Sequence, residues 1–221
     1  MKMTPDYEKA AAMAAQTLID YHICSAPVDP LPILKKIPGV LVMSFEDMSK
    51  KINMDRKDII NTLGCHNQDA VTTVYMDNGD LRYVVTYNRM LQSMIVDRVL
   101  ARELGHIILG HDGSKPEDVR NEEARCFAKH LMIPRALIHS ISAAGLRVTN
   151  VVMNNLTGCN DQCLSCIRQL PPVRVPAELN RAVRDQFMPY ILNFFTYQRV
   201  AMEADGSALA DFGTYMQGYE E

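Results

Sequence analysis

A chain of 221 residues, 48% hydrophobic and 22% charged, is long enough to bury one sizeable core, or a core with an appended piece. A formal charge of −3 and the lack of any dense Lys/Arg run argue against direct nucleic-acid binding. Glu8, Lys9, Gln16 and Asp20 interrupt what would have to be the apolar core of an export signal, and no apolar run approaches membrane length. A cytoplasmic protein without membrane association is expected, and its six cysteines are then reduced thiols or metal ligands rather than a disulfide framework.

In chain order, Ala-rich spacing predicts a helix over 5–23, stopped by the Pro-rich "APVDPLPILKKIPG". "VLVMSF" reads as a strand and "MDRKDIINTLG" as a short helix closed by Gly64. "AVTTVYMDNGDLRYVVTYN" reads as a hairpin turning at Asp77-Asn78-Gly79-Asp80. From Met90 to Leu109 the apolar period becomes helical, and two glycines and a proline in "GHDGSKPED" break it. Ser114 followed by Glu117 has the form of a capping box, so a second helix is expected from near Lys115 to Met132. "IPRALIHSIS" and "LRVTNVVMNNLTG" predict two shorter helices, and "LPPVRVPAELN" a linker. A last amphipathic helix starts near Pro176 and is expected to be disturbed by Pro189. Beyond Arg199 there is no Lys or Arg, which makes an acidic, loosely ordered tail. The fold class is α+β, a small N-terminal sheet packed on two helices and followed by a mostly helical region. The expected organisation is a first domain over 1–140, a helical region with a cysteine cluster over 141–200, and a tail over 201–221.

The chemistry concentrates on the two central helices. At about 100° per residue Leu91, Ile95, Val99, Arg102 and His106 share one face of the first, with Glu103 on its margin. On the second, within "NEEARCFAKHLMIP", the stripe Ala124, Phe127, Ala128 and Leu131 places Glu123 at the edge of the buried face and Glu122 away from it. Glu123 is therefore the better ligand candidate; the plainer reading makes both glutamates a solvated pair near a helix start, where the dipole favours them.

"RVLARELGHIILGH" followed by "NEEARCFAKHLMIP" resembles the ImmA/IrrE family of zinc metallopeptidases, in which H-E-L-G-H-x-x-L-G-H is followed by E-A-N-x-F-A-x-x-L-L-M-P. The likeness covers about residues 80 to 140 well, and Asn88 also matches a residue often found shortly before the metal helix. It implies a zincin-like domain in which Glu103 is the general base, His106 a metal ligand and Glu123 the acidic ligand, with zinc as the cofactor. The glutamate of such a helix takes a proton from metal-bound water, whose pKa zinc lowers to about 7. The implied substrate is a repressor-like regulatory protein, in mobile-element (phage) immunity or stress regulation.

Two departures qualify that reading. Arg102 stands where the first histidine ligand belongs, and Arg125 replaces the asparagine of the second motif. A guanidinium keeps its proton and offers no lone pair, so R-E-L-G-H argues against zinc occupancy and for impaired or absent activity. His111 can contribute only if the chain bends past Gly110. Arg102 is either a surface arginine with its stem packed on the helix, or a guanidinium in the metal's place, paired with Glu123 in a groove shared with Glu103 and His106.

Cys159, Cys163 and Cys166 recur at i, i+4 and i+7 and form a possible second metal site, with small buried thiols as the alternative. Two function classes follow: a metallo-endopeptidase acting on a repressor, or an inactive relative serving as a sensor or protein-binding module.

Overall fold

A computed structural model describes residues 3–64, 69–143, 149–157 and 173–204. The cysteines at 159, 163 and 166 lie outside the described residues, as do residues 144–148 and the sequence from 205 onward. The chain divides into two compact units, Met1–Met13 with Asp29–Ala128, and Ala14–Val28 with Lys129–Glu221.

The first unit is α+β. Helix α1 (Tyr7–Asp20) begins in it, where Asp6 Oδ1 accepts the Lys9 N–H at 2.9 Å and so caps an orphan donor of the first turn. The Pro-rich stretch read as a helix stop itself contains α2 (Pro30–Lys36): Asp29 caps it, and Pro30 at the first turn removes an N–H that has no partner in a helix anyway. Strand β1 (Val40–Ser44) ends one residue earlier than its apolar run. Ser44 turns the chain into α3 (Phe45–Ile52), its Oγ accepting the Asp47 N–H and donating to the Asp47 carboxylate. Helix α4 (Arg56–Thr62) follows, capped by Asp55.

The hairpin comprises β2 (Ala70–Asp77) and β3 (Asp80–Tyr87), with Asn78 and Gly79 at positive φ in its turn. The sheet order is β1-β3-β2, with β1 parallel and β2 antiparallel to β3. Val71 packs on the cluster of Phe45, Ile59 and Ile60. Ala70, Thr72, Val74 and Val85 share the opposite face by the period of two and the register.

Helix α5 (Ser93–Ile108) buries Val99, Leu100, Ala101 and Leu104. It meets α6 (Glu117–Met132) at Gly105, where an added Cβ would lie 3.0 Å from the Phe127 ring and 3.1 Å from the Ala124 carbonyl. Glycine there lets the helices that carry the candidate residues approach closely. Ser114 does not cap α6: its N–H donates to Asp112 Oδ1 at 2.9 Å in a local turn, and the helix starts at Glu117, after Pro116.

The second unit is helical, with α7 (Arg135–Ala143), α8 (Asn150–Thr157) and α9 (Ala177–Ala204). Leu18, Leu137, Ile141, Leu156, Phe187 and Ile191 are fully buried in it. Gln186 donates to the Leu18 carbonyl at 2.9 Å and Tyr190 to that of Ala26 at 2.6 Å. Pro189 does not break α9: it lies on the exposed side, where the one lost backbone bond is open to water. Among the described residues no helix is long and apolar enough to cross a membrane.

Candidate functional site

A cavity of about 360 Å³ opens in the first unit between β2 and helices α5 and α6. Thr72 and Val74 line it from the strand, Arg102, Glu103 and His106 from α5, and His111, Arg120 and Asn121 from the turn and α6. Glu123 does not line it. That carboxylate is 2% exposed and is reached from the cavity through His111, whereas Glu122 faces solvent and pairs with Arg125 at 2.7 Å.

Glu103 is also buried, and its oxygens are engaged. Oε1 accepts from Arg102 Nε at 3.1 Å and Nη2 at 2.8 Å, and Oε2 accepts the Thr72 hydroxyl at 2.7 Å. The expected Arg102–Glu123 pair is thus replaced by a pair between neighbours in sequence. The Arg102 guanidinium also reaches toward β2, with Nη2 3.5 Å from the Ala70 carbonyl, and Glu123 has no lone pair left to receive it.

Lys115 Nζ donates to both Glu123 oxygens at 2.8 Å, the Asp6 N–H to Oε1 at 2.8 Å, and His111 Nε2 to Oε2 at 2.9 Å. Four hydrogen bonds from these three groups meet the roughly four lone-pair sites that a carboxylate offers. Burial raises the Glu123 pKa, but the hydrogen bonds from Lys115, Asp6 and His111 outweigh it and hold the group below the usual carboxylate range. Gly110, at φ +66°, makes the bend past the end of α5 that a side chain resists, and so delivers His111 to the site.

The proton positions follow from these partners. A carboxylate only accepts, so His111 gives its Nε2–H to Glu123 and carries its lone pair on Nδ1. Burial pushes its pKa down, with Glu123 opposing, and it is neutral at pH 7. His106 Nδ1 lies 2.9 Å from His111 Nδ1 and must therefore carry the shared proton, which leaves the His106 lone pair on Nε2. Burial, then His111, Arg102 and Arg120, push the His106 pKa down to about 3, so this ring too is neutral.

A family model for the IrrE N-terminal-like domain of peptidase family M78 matches residues 42–155, just over half of the chain. The chain belongs to the ImmA/IrrE family. The match spans the sheet, both helices of the cavity and the start of the helical region. Neither a search of curated proteins nor one of solved structures returned a match.

The family is of the zinc metallopeptidase type, so the donor set can be tested for zinc. A catalytic zinc needs about three protein ligands converging on one point. Here the imidazoles and Glu123 form a chain rather than a cage, with both His111 nitrogens used, the Glu123 oxygens saturated and only His106 Nε2 left as a donor atom. Among the described residues no three His, Cys, Asp or Glu are arranged to hold a metal ion. The residues as arranged do not fit a catalytic zinc.

The sequence motifs point to Glu103, His106, Arg102 and Glu123 as site residues, and to His111 only through a bend past Gly110. Gly110 before His111 was the available signal. Thr72, Lys115, Arg120 and the Asp6 amide carry no motif that could have found them.

Proposed function

We propose that this chain is a metallopeptidase-family protein whose groove binds a repressor-like regulatory protein without zinc-dependent cleavage. The observation that carries this reading is charge compensation: each buried carboxylate already holds a side-chain cation, Arg102 on Glu103 and Lys115 on Glu123. Those cations supply the countercharge that a divalent metal would otherwise provide, and Arg102 at the first-ligand position adds no donor atom.

The groove keeps what binding requires. Tyr83 donates its N–H to Gly39 beside β1, so the Val74–Tyr83 pair is a non-hydrogen-bonded one within β2–β3. By the same alternation the backbone groups of Thr72, Val74 and Met76 point to the free edge of β2, where an extended segment of a partner can add as a strand. Mobile-element or stress regulation is the setting the family suggests.

The test is zinc stoichiometry on protein purified without chelator, with Cys159, Cys163 and Cys166 changed to serine, together with cleavage and binding assays on a repressor encoded beside the gene. Binding without groove zinc or cleavage is expected. About one bound zinc, with chelator-sensitive cleavage that Glu103→Gln abolishes, would refute the reading.

A further inference from the structure

The cavity holds a combination of groups that a peptide-binding role alone does not use. Arg120 enters it with Nε engaged by the Lys115 carbonyl at 3.1 Å, while its two terminal nitrogens make no hydrogen bond to protein among the described residues; its charge acts at longer range on Asp112, His106 and His111. His106 presents an acceptor, Nε2, because its Nδ1 proton is committed to His111. Arg102 lines the same space, and its Nη1 is not used on Glu103. The acidic side chains nearby do not cancel these donors: Glu103 is spent on Arg102 and Thr72, and Glu117 and Asp112 are exposed to solvent, which screens them.

A ligand matching this pattern must offer oxyanions to a planar donor fork and at the same time one proton to an acceptor. A carboxylate or a sulfate has no such proton at neutral pH. A phosphate monoester in its monoprotonated form, or inorganic phosphate, has both, and the fork of an arginine fits its oxygens. We propose that the cavity is a binding site for the phosphate group of a small phosphorylated ligand, held by Arg120 and Arg102 with its P–OH donated to His106 Nε2. At about 360 Å³ the cavity admits the head of a small molecule and little more. The inference rests on the metal-free reading of the groove, since a zinc there would itself attract phosphate.

The experiment is calorimetric titration of the full chain at pH 7.5 with inorganic phosphate and, at matched ionic strength, with sulfate, zinc being measured on the same sample and each titration repeated after chelator. Phosphate is expected to bind, sulfate at least about ten-fold more weakly, with no effect of chelator. Arg120→Gln should weaken phosphate by about ten- to a hundred-fold, the range for a hydrogen bond to a charged group. Should that variant melt early, Arg120→Lys, which keeps the charge but loses the fork, takes its place and should also lose affinity. Absence of phosphate binding in zinc-free protein, equal binding of the two anions, or wild-type affinity in a folded Arg120 variant would each overturn this inference alone. Binding that disappears with chelator from a zinc-loaded sample would overturn both it and the metal-free reading.

Discussion

The two buried carboxylates of the first unit are built in contrasting ways. Glu103 is held by its neighbour in sequence, Arg102, and by one strand hydroxyl, all of it lining an open cavity. Glu123 is held by three separate segments, the first turn of α1, the bend after α5 and the loop before α6, and is shut away from the cavity. Glu103 is thus adjustable by single side-chain changes, whereas Glu123 is part of how the unit closes. An evolving site can swap the partner of the first more freely than that of the second.

The contrast breaks most visibly if both cations are removed. Arg102→His supplies a ligand, but Glu123 stays saturated while Lys115 remains, so the single variant should gain little zinc. Arg102→His with Lys115→Met frees the second carboxylate and should bind zinc more tightly than the single variant by about 100-fold, measured by competition with a chromophoric chelator; repositioning and freeing ligands carries effects of about that size. Equal affinity of the two variants would show that Lys115 does not guard Glu123.

Stability sharpens the same contrast. Glu123→Ala strands Lys115, the Asp6 N–H and His111, and should cost about 2–4 kcal/mol in urea unfolding, the cost of breaking a buried pair reduced by the partial exposure of Lys115. Acid should expose the difference without mutation. His106 and His111 are neutral when folded, whereas unfolded histidines take up protons near 6.5, so stability is full above that pH and falls as the pH drops toward about 3. Glu123, held below its ordinary range, adds a loss of the same sign at lower pH. His130 of the second unit, pushed down to about 4 chiefly by burial, contributes likewise, so the urea midpoint should decline steadily from pH 7.5 to 4.5 in wild type and remain inclined in a His106→Phe variant, with a shallower slope. A flat wild-type profile would show that these rings are not buried neutral. The smallest effect belongs to the strand: Thr72→Val removes one hydroxyl from Glu103 and should cost about 1 kcal/mol.

The readable parts of this molecule are those governed by local pattern. The hairpin, α5 and α6 were legible because a period of two, an Asn-Gly turn and a 3.6-residue apolar stripe are properties of adjacent residues. Helices α2 and α3 were not, since a proline read as a stop and a serine at the end of a strand both start helices there, and that depends on which backbone groups are already unpaired. Glu103 and His106 were visible in the motif. That Arg102 pairs with a carboxylate is legible, but not that the carboxylate is Glu103, because competition for Glu123 comes from Lys115 and an amide far away in sequence, which no spacing encodes.

The hydrogen bond from the Asp6 amide has one more consequence. It ties the first turn of the chain to a carboxylate 117 positions away, so this single backbone proton reports on the state of Glu123. While Glu123 keeps its partners the amide is protected, and hydrogen–deuterium exchange at Asp6 should be slow relative to the preceding residues. Anything that draws the carboxylate elsewhere, a metal or a partner's lysine, would release that amide to solvent, giving a readout at the chain's beginning for an event buried between two helices.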